Sequence, residues 1–246
     1  MGRVTEKIKE WLGRFEDTLF PEFGCFACGR ELEHPEVKLC DECSGAIDWH
    51  DGRECPRCGA KLRPSELICD DCKGKERKFD RAMSVCEYGD VSGALIKGLK
   101  YNGRKYLAKL IARLMVNKYL GSTEVADTVT FVPQSEHKLK LRGFNHAELI
   151  ATHFCELLNL PLVDTLDKVK ELTNQSRLSS DERATNIKGA YKLKEGINLK
   201  GKTVLLIDDV YTTGATSTEC AQELLKARAK RVVVFTFAKT SLKKPE

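Results

Sequence analysis

Near the carboxyl end of this 246-residue chain the sequence reads Val204-Leu205-Leu206-Ile207-Asp208-Asp209-Val210-Tyr211-Thr212-Thr213-Gly214-Ala215-Thr216. Four aliphatic residues in a row predict a buried strand, and two carboxylates mark its end. Ligands of open α/β sheets bind at the carboxyl ends of strands, and the free N–H groups of a helix start favour a phosphate. The stretch therefore predicts a sugar-phosphate site whose acids face ligand hydroxyls or a divalent cation. The alternative is that Asp209 or Thr213 only caps the helix.

Strands and helices alternate in the sequence from residue 80 onwards. β-branched and aliphatic runs predict strands at residues 82–88, 128–132, 162–169, 203–207 and 231–237. Helical patterns fall between them, at residues 91–99, 106–120, 144–158, 180–187 and 214–229. Such alternation predicts an α/β fold with a parallel, doubly wound sheet. Ahead of it, apolar residues at steps of three and four predict an amphipathic helix over residues 1–22.

Eight of the eleven cysteines lie in the first 72 residues as four CxxC pairs. Two such turns complete a tetrahedral four-thiolate zinc site, so eight ligands predict two structural zinc ions in a module spanning residues 23–79. The spacing leaves the pairing open: neighbouring pairs can join, or the sites can be cross-braced. The other three cysteines are expected to be small buried apolar residues. The predicted ligands are Cys25, Cys28, Cys40, Cys43, Cys55, Cys58, Cys69 and Cys72.

Charge divides unevenly along the chain. Residues 1–80 carry 14 Lys and Arg against 18 Asp and Glu, a net charge of −4, whereas the remainder carries 27 against 18, a net charge of +9. The second part, predicted as one domain over residues 80–246, is therefore a suitable host for a polyphosphate or a nucleic acid. The sequence contains neither an apolar run of membrane-spanning length nor a signal-peptide pattern, so we expect a soluble cytoplasmic protein without membrane insertion.

Several motifs together resemble one protein family. The thirteen-residue string resembles the 5-phosphoribosyl diphosphate (PRPP) motif of type I phosphoribosyltransferases. Val132-Pro133-Gln134 and Arg142-Gly143-Phe144-Asn145 resemble the VP…RGFN(Q) segment of the ComF (ComFC) competence proteins. The residues around Gln175, Arg183 and Asn186 resemble another stretch of that family, as do the cysteine pairs ahead of an α/β domain. The resemblance implies a type I phosphoribosyltransferase fold behind a small zinc module.

The family resemblance also implies roles for individual residues. It places Asp208 and Asp209 at the ribose hydroxyls, with a phosphate loop over residues 211–216 and magnesium bound together with PRPP. The implied PRPP-binding set is Asp208, Asp209, Val210, Tyr211, Thr212, Thr213, Gly214, Ala215 and Thr216. Diphosphate or DNA contacts are implied for Lys100, Arg104, Pro133, Gln134, Lys138 and Arg142, the last two on a basic loop. A flexible cover is implied for Gln175, Arg177, Arg183 and Asn186.

Two positions depart from the family pattern. His146 stands where RGFNQ has glutamine, and Lys168 stands where an arginine is expected. Lysine keeps the charge but loses the bidentate fork of arginine. The sequence identifies no catalytic residue; His137 and His146 are candidates for proton transfer, against a structural or exposed role for a lone histidine.

Two functions are consistent with these residues. One is a PRPP-binding role in natural competence, where imported single-stranded DNA is handled in the cytoplasm, with the zinc module docking a helicase of the ComFA type. The alternative is metabolic transfer of 5-phosphoribose to a base or amine. The net charge of +9 favours contacts to DNA phosphates, whereas an aromatic content of 7% argues against a stacking platform for single strands.

Overall fold

The computed structural model describes residues 24–33, 38–101, 103–170 and 187–240. The chain forms two compact units, Met1–Ala46 and Ile47–Glu246. The helix predicted over residues 1–22, nearly all of the helix predicted over residues 180–187, and the four predicted cover residues lie outside the described residues.

The first unit is a small cysteine-rich turn structure. Its one described helix, α1 (Asp41–Gly45), begins after Cys40, whose Sγ accepts a hydrogen bond from the backbone N–H of Cys43. Gly29 follows the first CxxC pair with φ +75°, a left-handed conformation that glycine adopts without steric cost. Glycine therefore allows the chain to turn directly after the CxxC pair.

The second unit is built on a four-stranded parallel sheet of order β1-β6-β5-β2. Its strands are β1 (Arg81–Glu87), β2 (Thr128–Phe131), β5 (Thr203–Tyr211) and β6 (Arg231–Lys239). A separate antiparallel pair consists of β3 (Leu166–Lys168) and β4 (Tyr191–Leu193). The helices of this unit are α2 (Asp90–Tyr101), α3 (Tyr106–Leu120), α4 (Glu136–Arg142), α5 (His146–Leu158) and α6 (Ala215–Lys226).

Helices cover both faces of the parallel sheet. On one face α3 and α5 pack together, and Tyr119, Phe154 and Phe235 meet with ring centroids 5.4–6.4 Å apart. On the other face a second core joins α6 to β5 and β6. The predicted parallel α/β fold is confirmed. This arrangement brings the carboxyl ends of β2, β5 and β6 to one edge of the sheet, where a ligand site is expected.

The cysteine pairs of the second unit belong to its core. Cys55, Cys58, Cys69 and Cys72 are buried in the same cluster as Phe79 and Tyr211. We call these four the second cysteine cluster, and Cys25, Cys28, Cys40 and Cys43 the first cysteine cluster. A short 3₁₀ turn, Asp70–Cys72, carries the last ligand.

The outer edge of β1 is covered by residues that flank the second cysteine cluster. Residues 48–50 run antiparallel to it, and the backbone N–H of Ala82 donates to the carbonyl of Arg57 at 2.9 Å. The approach is close at Gly59 (φ +71°), where a Cβ atom would lie 2.9 Å from the Ala82 carbonyl oxygen. The cluster is thus joined to the sheet by backbone hydrogen bonds as well as by side-chain packing.

Three predicted elements differ in the structure. The predicted basic loop after Pro133 is wrong, because Glu136–Arg142 forms the helix α4, which Gly143 ends in a left-handed conformation. The strand predicted over residues 162–169 is restricted to β3, outside the parallel sheet, and only Leu162 bridges β2. Strand β5 runs four residues beyond the predicted end, because β6 continues beside it as far as Lys239.

Two further predictions concern membrane-spanning helices and the three scattered cysteines. None of the described helices combines the length and apolar character needed to span a bilayer. The three scattered cysteines are buried, as expected, and burial raises the thiol pKa of Cys86 and of Cys155 to about 12. Thiols held protonated in this way are poor nucleophiles, which agrees with a packing role.

Candidate functional site

The eight clustered cysteines group as neighbouring pairs. The Sγ atoms of each cysteine cluster lie within 4.8 Å of one another, so the first pair joins the second and the third joins the fourth. Tetrahedral zinc with Zn–S bonds of 2.3 Å places its sulfurs about 3.8 Å apart. The Sγ distances of 3.8 Å between Cys28 and Cys40 and 3.4 Å between Cys58 and Cys69 fit such an ion. The structure therefore resolves the pairing in favour of adjacent pairs and supports two structural zinc sites.

The two clusters differ in exposure. In the first, Cys28 is exposed and Cys40 and Cys43 are half-buried, whereas all four thiols of the second are buried. Four sulfur ligands leave no open position for water on either ion, so both sites are structural.

The two adjacent carboxylates at the end of β5 have different surroundings. Asp209 is 4% exposed and pairs with the ammonium of Lys100 from α2, while its Oδ1 lies 3.4 Å from Nε2 of His146. Asp208 is half-buried, and its Oδ1 accepts a hydrogen bond from the backbone N–H of Asp209 at 2.9 Å. Asp209, one of the two predicted ribose contacts, therefore forms a buried ion pair with Lys100, the residue predicted to contact diphosphate or DNA, and Asp208 lies beside this pair.

The electrostatic consequences for the two acids are opposite. Burial raises the pKa of Asp208, and the neighbouring carboxylate of Asp209 raises it further, to well above its usual range. Burial acts in the same direction on Asp209, but Lys100 and His146 outweigh it and hold the pKa of Asp209 well below its usual range. Asp209 is therefore the firmly ionised member, and its charge is balanced inside the protein by Lys100.

The RGFN motif positions His146 beside this pair. Gly143 (φ +77°) ends α4, and Asn145 caps α5 by accepting from the backbone N–H of Ala147 at 3.0 Å. The Asn145 amide also donates to the Val132 carbonyl at 3.1 Å, which fixes the start of α5 against the end of β2. His146, the first residue of α5, then contacts the Gln134 amide through Nδ1 and faces Asp209 through Nε2. The RGFN motif thus positions His146, together with its partner Gln134, beside Asp209.

The predicted phosphate loop, residues 211–216 and called the phosphate loop below, joins β5 to α6. Gly214 precedes the helix with φ +76°, and a Cβ atom there would lie 2.2 Å from the Tyr211 hydroxyl. Glycine is therefore required at this position on two counts, conformation and space. The Thr213 hydroxyl accepts from the backbone N–H of Ala215 at 3.4 Å, whereas Thr212 is exposed. The loop places the start of a helix at the carboxyl end of a strand, and the binding of a phosphate there stays a prediction.

Three side chains fill the space beneath the phosphate loop. Tyr211 is 2% exposed, packs edge-on against Phe79 with centroids 6.2 Å apart, and carries the Lys239 ammonium 4.9 Å above its ring. Lys239 is itself 1% exposed. Arg77 donates from Nη1 to the Thr213 carbonyl at 2.6 Å. Cations and aromatic rings therefore support the loop from the side of the second cysteine cluster.

A surface of alternating cations and rings lies next to the acids. The Arg142 guanidinium lies 5.0 Å from the ring centre of Tyr101, and the Lys105 ammonium lies 5.3 Å from that of Phe144. Tyr101 is 70% exposed and directly follows Lys100. Lys138 is exposed on α4 four residues before Arg142, hence on the same side of that helix. We call Tyr101, Lys105, Lys138, Arg142 and Phe144 the basic–aromatic surface.

A cavity of about 660 Å³ lies beyond the end of β2, lined by α4, the start of α5, β3 and Lys194, which follows β4. Pro133 and Gln134, predicted as diphosphate contacts, line it together with Lys168. The Lys168 ammonium also lies 5.5 Å from the ring centre of Tyr191. The cavity is therefore continuous with part of the predicted site and is large enough for a small molecule.

The structure groups some predicted residues and separates others. Lys100 joins the acids, Gln134 reaches them through His146, and Arg142 lies instead on the basic–aromatic surface. Arg104 is half-buried in the connection between α2 and α3. Sequence reasoning missed Arg77 and Lys239 altogether, since neither belongs to a recognisable motif.

Comparisons with known proteins agree with this architecture. A family model described as a double zinc ribbon domain matches residues 15–73, and one described as a phosphoribosyl transferase domain matches residues 140–246. The chain is 28% identical to the DNA utilization protein YhgH of Escherichia coli K12, over 88% of this chain and 96% of that protein. It is 26% identical to competence protein F of Haemophilus influenzae, over 89% and 98% of the two chains. The chain is a homologue of the ComF-type competence proteins. The resemblance predicted from the motifs is thereby confirmed.

Further similarities are more distant. This ComF homologue is 25% identical to competence protein ComFC of Streptococcus pneumoniae, over 85% of this chain and 90% of that protein. Among solved structures, adenine phosphoribosyltransferase of Leishmania donovani overlaps 58% of this chain and 68% of its own, at 15% identity and a TM-score of 0.38. The glutamine PRPP amidotransferase of B. subtilis overlaps 54% of this chain at 25% identity and a TM-score of 0.34. This chain spans a quarter of that longer enzyme.

Zinc release is expected to occur in two phases. Metal analysis should give two zinc ions per chain, and a chelator should remove the ion of the first cysteine cluster before the buried second one, because Cys28 is exposed. The measurement is absorbance of a chromogenic chelator against time. Cys40→Ser should eliminate only the fast phase. A single-phase release, or one zinc per chain, would contradict the two-site assignment.

Asp208→Asn and Asp209→Asn are expected to change stability in opposite directions. Folding raises the pKa of Asp208, so its carboxylate costs stability at neutral pH. Removing it should increase the free energy of unfolding by about 1 kcal/mol, a gain that disappears as the pH falls towards 3.8. Folding lowers the pKa of Asp209, so its contribution is present at neutral pH and is lost in acid. Asp209→Asn should cost about 3 kcal/mol at pH 7.5, because it leaves the Lys100 ammonium unpaired.

Urea unfolding at pH 7.5 and pH 5 measures both changes. Asp127→Asn is the matched control, because Asp127 contacts the other end of the same strand by accepting from the backbone N–H of Thr203 at 2.7 Å. If Asp208→Asn and Asp209→Asn changed the free energy of unfolding in the same direction, the opposite pKa shifts assigned to the two acids would be wrong.

Proposed function

We propose that this ComF homologue binds PRPP with magnesium at Asp208, Asp209 and the phosphate loop, and that it acts in natural competence by handling imported single-stranded DNA in the cytoplasm. The supporting observation is the juxtaposition at one sheet edge of a carboxylate pair and a glycine turn that opens α6. A pentose phosphate has hydroxyls that can donate to the carboxylates and a phosphate that can bind at the helix start, so it would contact both the acid pair and the glycine turn.

The charge balance of the acid pair supports a polyanionic ligand. Two unpaired carboxylates would repel a diphosphate, but Lys100 neutralises Asp209, which leaves a single acid, Asp208, to be balanced by a cation. Asp208, the more exposed acid, is therefore suited to accept a hydrogen bond from a ribose hydroxyl, while Asp209 holds Lys100 at the edge of the site.

Magnesium suits the donor atoms of this edge. Carboxylate oxygens of Asp208 and Asp209 and a ring nitrogen of His146 lie within 4.8 Å of one another, and the oxygens are the ligand type that Mg²⁺ prefers. When bound, the ion would supply neutralisation of the diphosphate charge. Asp208 is the available carboxylate, because Asp209 is already paired with Lys100.

The DNA-handling part of the proposal is supported by the basic–aromatic surface. Single strands bind to grooves in which cations neutralise phosphates and exposed rings stack on bases. Tyr101 offers an exposed ring, and Lys138 and Lys105 form no ion pair with any carboxylate in the described part of the chain. The low overall aromatic content is therefore less restrictive than the sequence indicated, because two of the rings are concentrated beside the site.

The alternative function is metabolic phosphoribosyl transfer to a base or an amine. The cavity beyond β2 supports it, since Pro133 and Gln134 line space of acceptor size. Release of diphosphate from PRPP in the presence of candidate acceptors, followed by phosphorus NMR, distinguishes turnover from ligand sensing. In the competence proposal, the zinc module, residues 23–79, would dock a helicase of the ComFA type.

Calorimetric titration with PRPP and magnesium tests the ligand assignment. Asp208→Asn should weaken binding tenfold to a hundredfold, because hydrogen bonds to charged groups contribute about 1.5–3 kcal/mol. The same substitution is expected to raise the stability of the unliganded protein, so weaker binding cannot be attributed to unfolding. Asp127→Asn, at the opposite end of β5, should bind as the unmodified protein does. Equal affinity for all three proteins would refute the ribose contact.

Fluorescence anisotropy with labelled oligothymidylate tests the DNA surface. Tyr101→Ala should weaken binding about fivefold to a hundredfold through the loss of a stacking ring. Lys138→Ala should reduce the slope of log affinity against log salt by about one, whereas Lys230→Ala, at the amino ends of the strands, should leave it unchanged. An affinity that does not respond to salt, or equal effects of the two lysine substitutions, would exclude this surface.

A further inference from the structure

Arg77 lies five residues after the last ligand of the second cysteine cluster and reaches the phosphate loop from beneath. Its Nη1 donates to the Thr213 carbonyl at 2.6 Å and would lie 3.0 Å from a Cβ atom at Gly214. Its Nε is buried and has no hydrogen-bond partner among the described residues. Over those same residues no carboxylate forms an ion pair with the guanidinium, so the Thr213 carbonyl is the partner that the structure gives it.

Peptide geometry gives this contact a consequence for the ligand side of the loop. A trans peptide is planar, with its carbonyl and N–H directed oppositely. When the Thr213 carbonyl turns down to Arg77, the N–H of Gly214 in the same peptide turns away from Arg77. The positive φ of Gly214 then leads the chain into α6. The hydrogen bond thus selects the peptide orientation that presents a donor to an anion.

The chain segment that carries Arg77 is held at both ends. On one side Arg57, within the second cysteine cluster, donates from Nη1 to the Lys75 carbonyl at 2.9 Å. On the other side Phe79 is 5% exposed and packs against Tyr211. Position 77 is therefore set by the fold of the cluster and not by the α/β domain alone.

We propose that Arg77 is a positioning residue for anion binding by the phosphate loop, and that the second cysteine cluster, through its zinc ion, maintains the loop in its phosphate-binding conformation. The proposal rests on the proposed function for the identity of the ligand, but the orientation of the loop is a property of the unliganded protein. The second cysteine cluster is then part of the ligand site. The first cysteine cluster has no such role.

The test uses the full-length zinc-loaded protein labelled with ¹⁵N. Backbone relaxation of Gly214 without ligand should indicate a rigid amide, with an order parameter of about 0.85, that falls below about 0.6 in Arg77→Met. Arg77→Lys keeps a donor and should restore most of the order. Arg53→Met is the matched control, because Arg53 also donates to carbonyls of the same module, at Pro64 and Glu66, without reaching the loop.

Affinity for PRPP with magnesium is measured on the same proteins, together with zinc content and thermal unfolding. Arg77→Met should weaken binding about tenfold with two zinc ions retained, Arg77→Lys should recover part of the loss, and Arg53→Met should match the unmodified protein. Cys69→Ser should mobilise Gly214, whereas Cys40→Ser in the first cysteine cluster should not. A mobile Gly214 in Arg77→Met together with no PRPP binding by the unmodified protein would overturn the proposed function and retain the positioning role.

Two results would overturn the positioning role itself. One is an equally rigid Gly214 in Arg77→Met and in the unmodified protein. The other is an equal effect of Arg53→Met and Arg77→Met, which would mean that any disturbance of the module reaches the loop. If Arg77→Met does not fold, the pair of cysteine variants provides the comparison: an equally rigid Gly214 in Cys69→Ser and Cys40→Ser would overturn the role of the second cysteine cluster.

Discussion

The buried ion pair between Lys100 and Asp209 is the interaction on which the carboxyl edge of the sheet depends. A strand can carry two adjacent carboxylates into a buried edge only if their charge is compensated, because desolvation of an unpaired carboxylate is costly. Lys100 provides this compensation from α2, and His146 adds a second contact from α5. The strand therefore continues through Asp208 and Asp209 as far as Tyr211, and the phosphate loop begins from a fixed point.

The second unit contains a metal module as part of its core. The second cysteine cluster shares one hydrophobic cluster with Tyr211, while the first cysteine cluster belongs to a different compact unit. The two clusters thus have the same ligands and nearly the same spacing, but the second is packed into the hydrophobic core of the α/β unit and the first belongs to a separate unit. This difference follows from contacts after the second cluster, through Phe79 and the backbone at Ala82, which have no equivalent signal in the CxxC pattern.

Local patterns were sufficient for the fold and the metal ligands, and insufficient for contacts between distant segments. The aliphatic run before Asp208 predicted the central strand, because a buried parallel strand needs such a run. The sequence of α4 gave no helical signal, since Glu136–Arg142 has no buried residue and so no apolar face to detect. The Arg77 contact spans 136 residues, and the Arg142–Tyr101 contact joins the last residues of two different helices, so neither follows from a local periodicity. The opposite pKa shifts of Asp208 and Asp209 likewise depend on Lys100, which is remote in sequence.

Residues 48–50 and the Arg57 carbonyl cover the outer edge of β1, and Arg57 lies within the second cysteine cluster, between Cys55 and Cys58. An uncovered edge strand exposes unpaired N–H and carbonyl groups on which another chain can add as a further strand. Zinc binding therefore also affects self-association. A chain that folds its α/β core before it binds zinc would expose the edge of β1 to pairing with a second chain, whereas the zinc-bound form would stay monomeric at this edge.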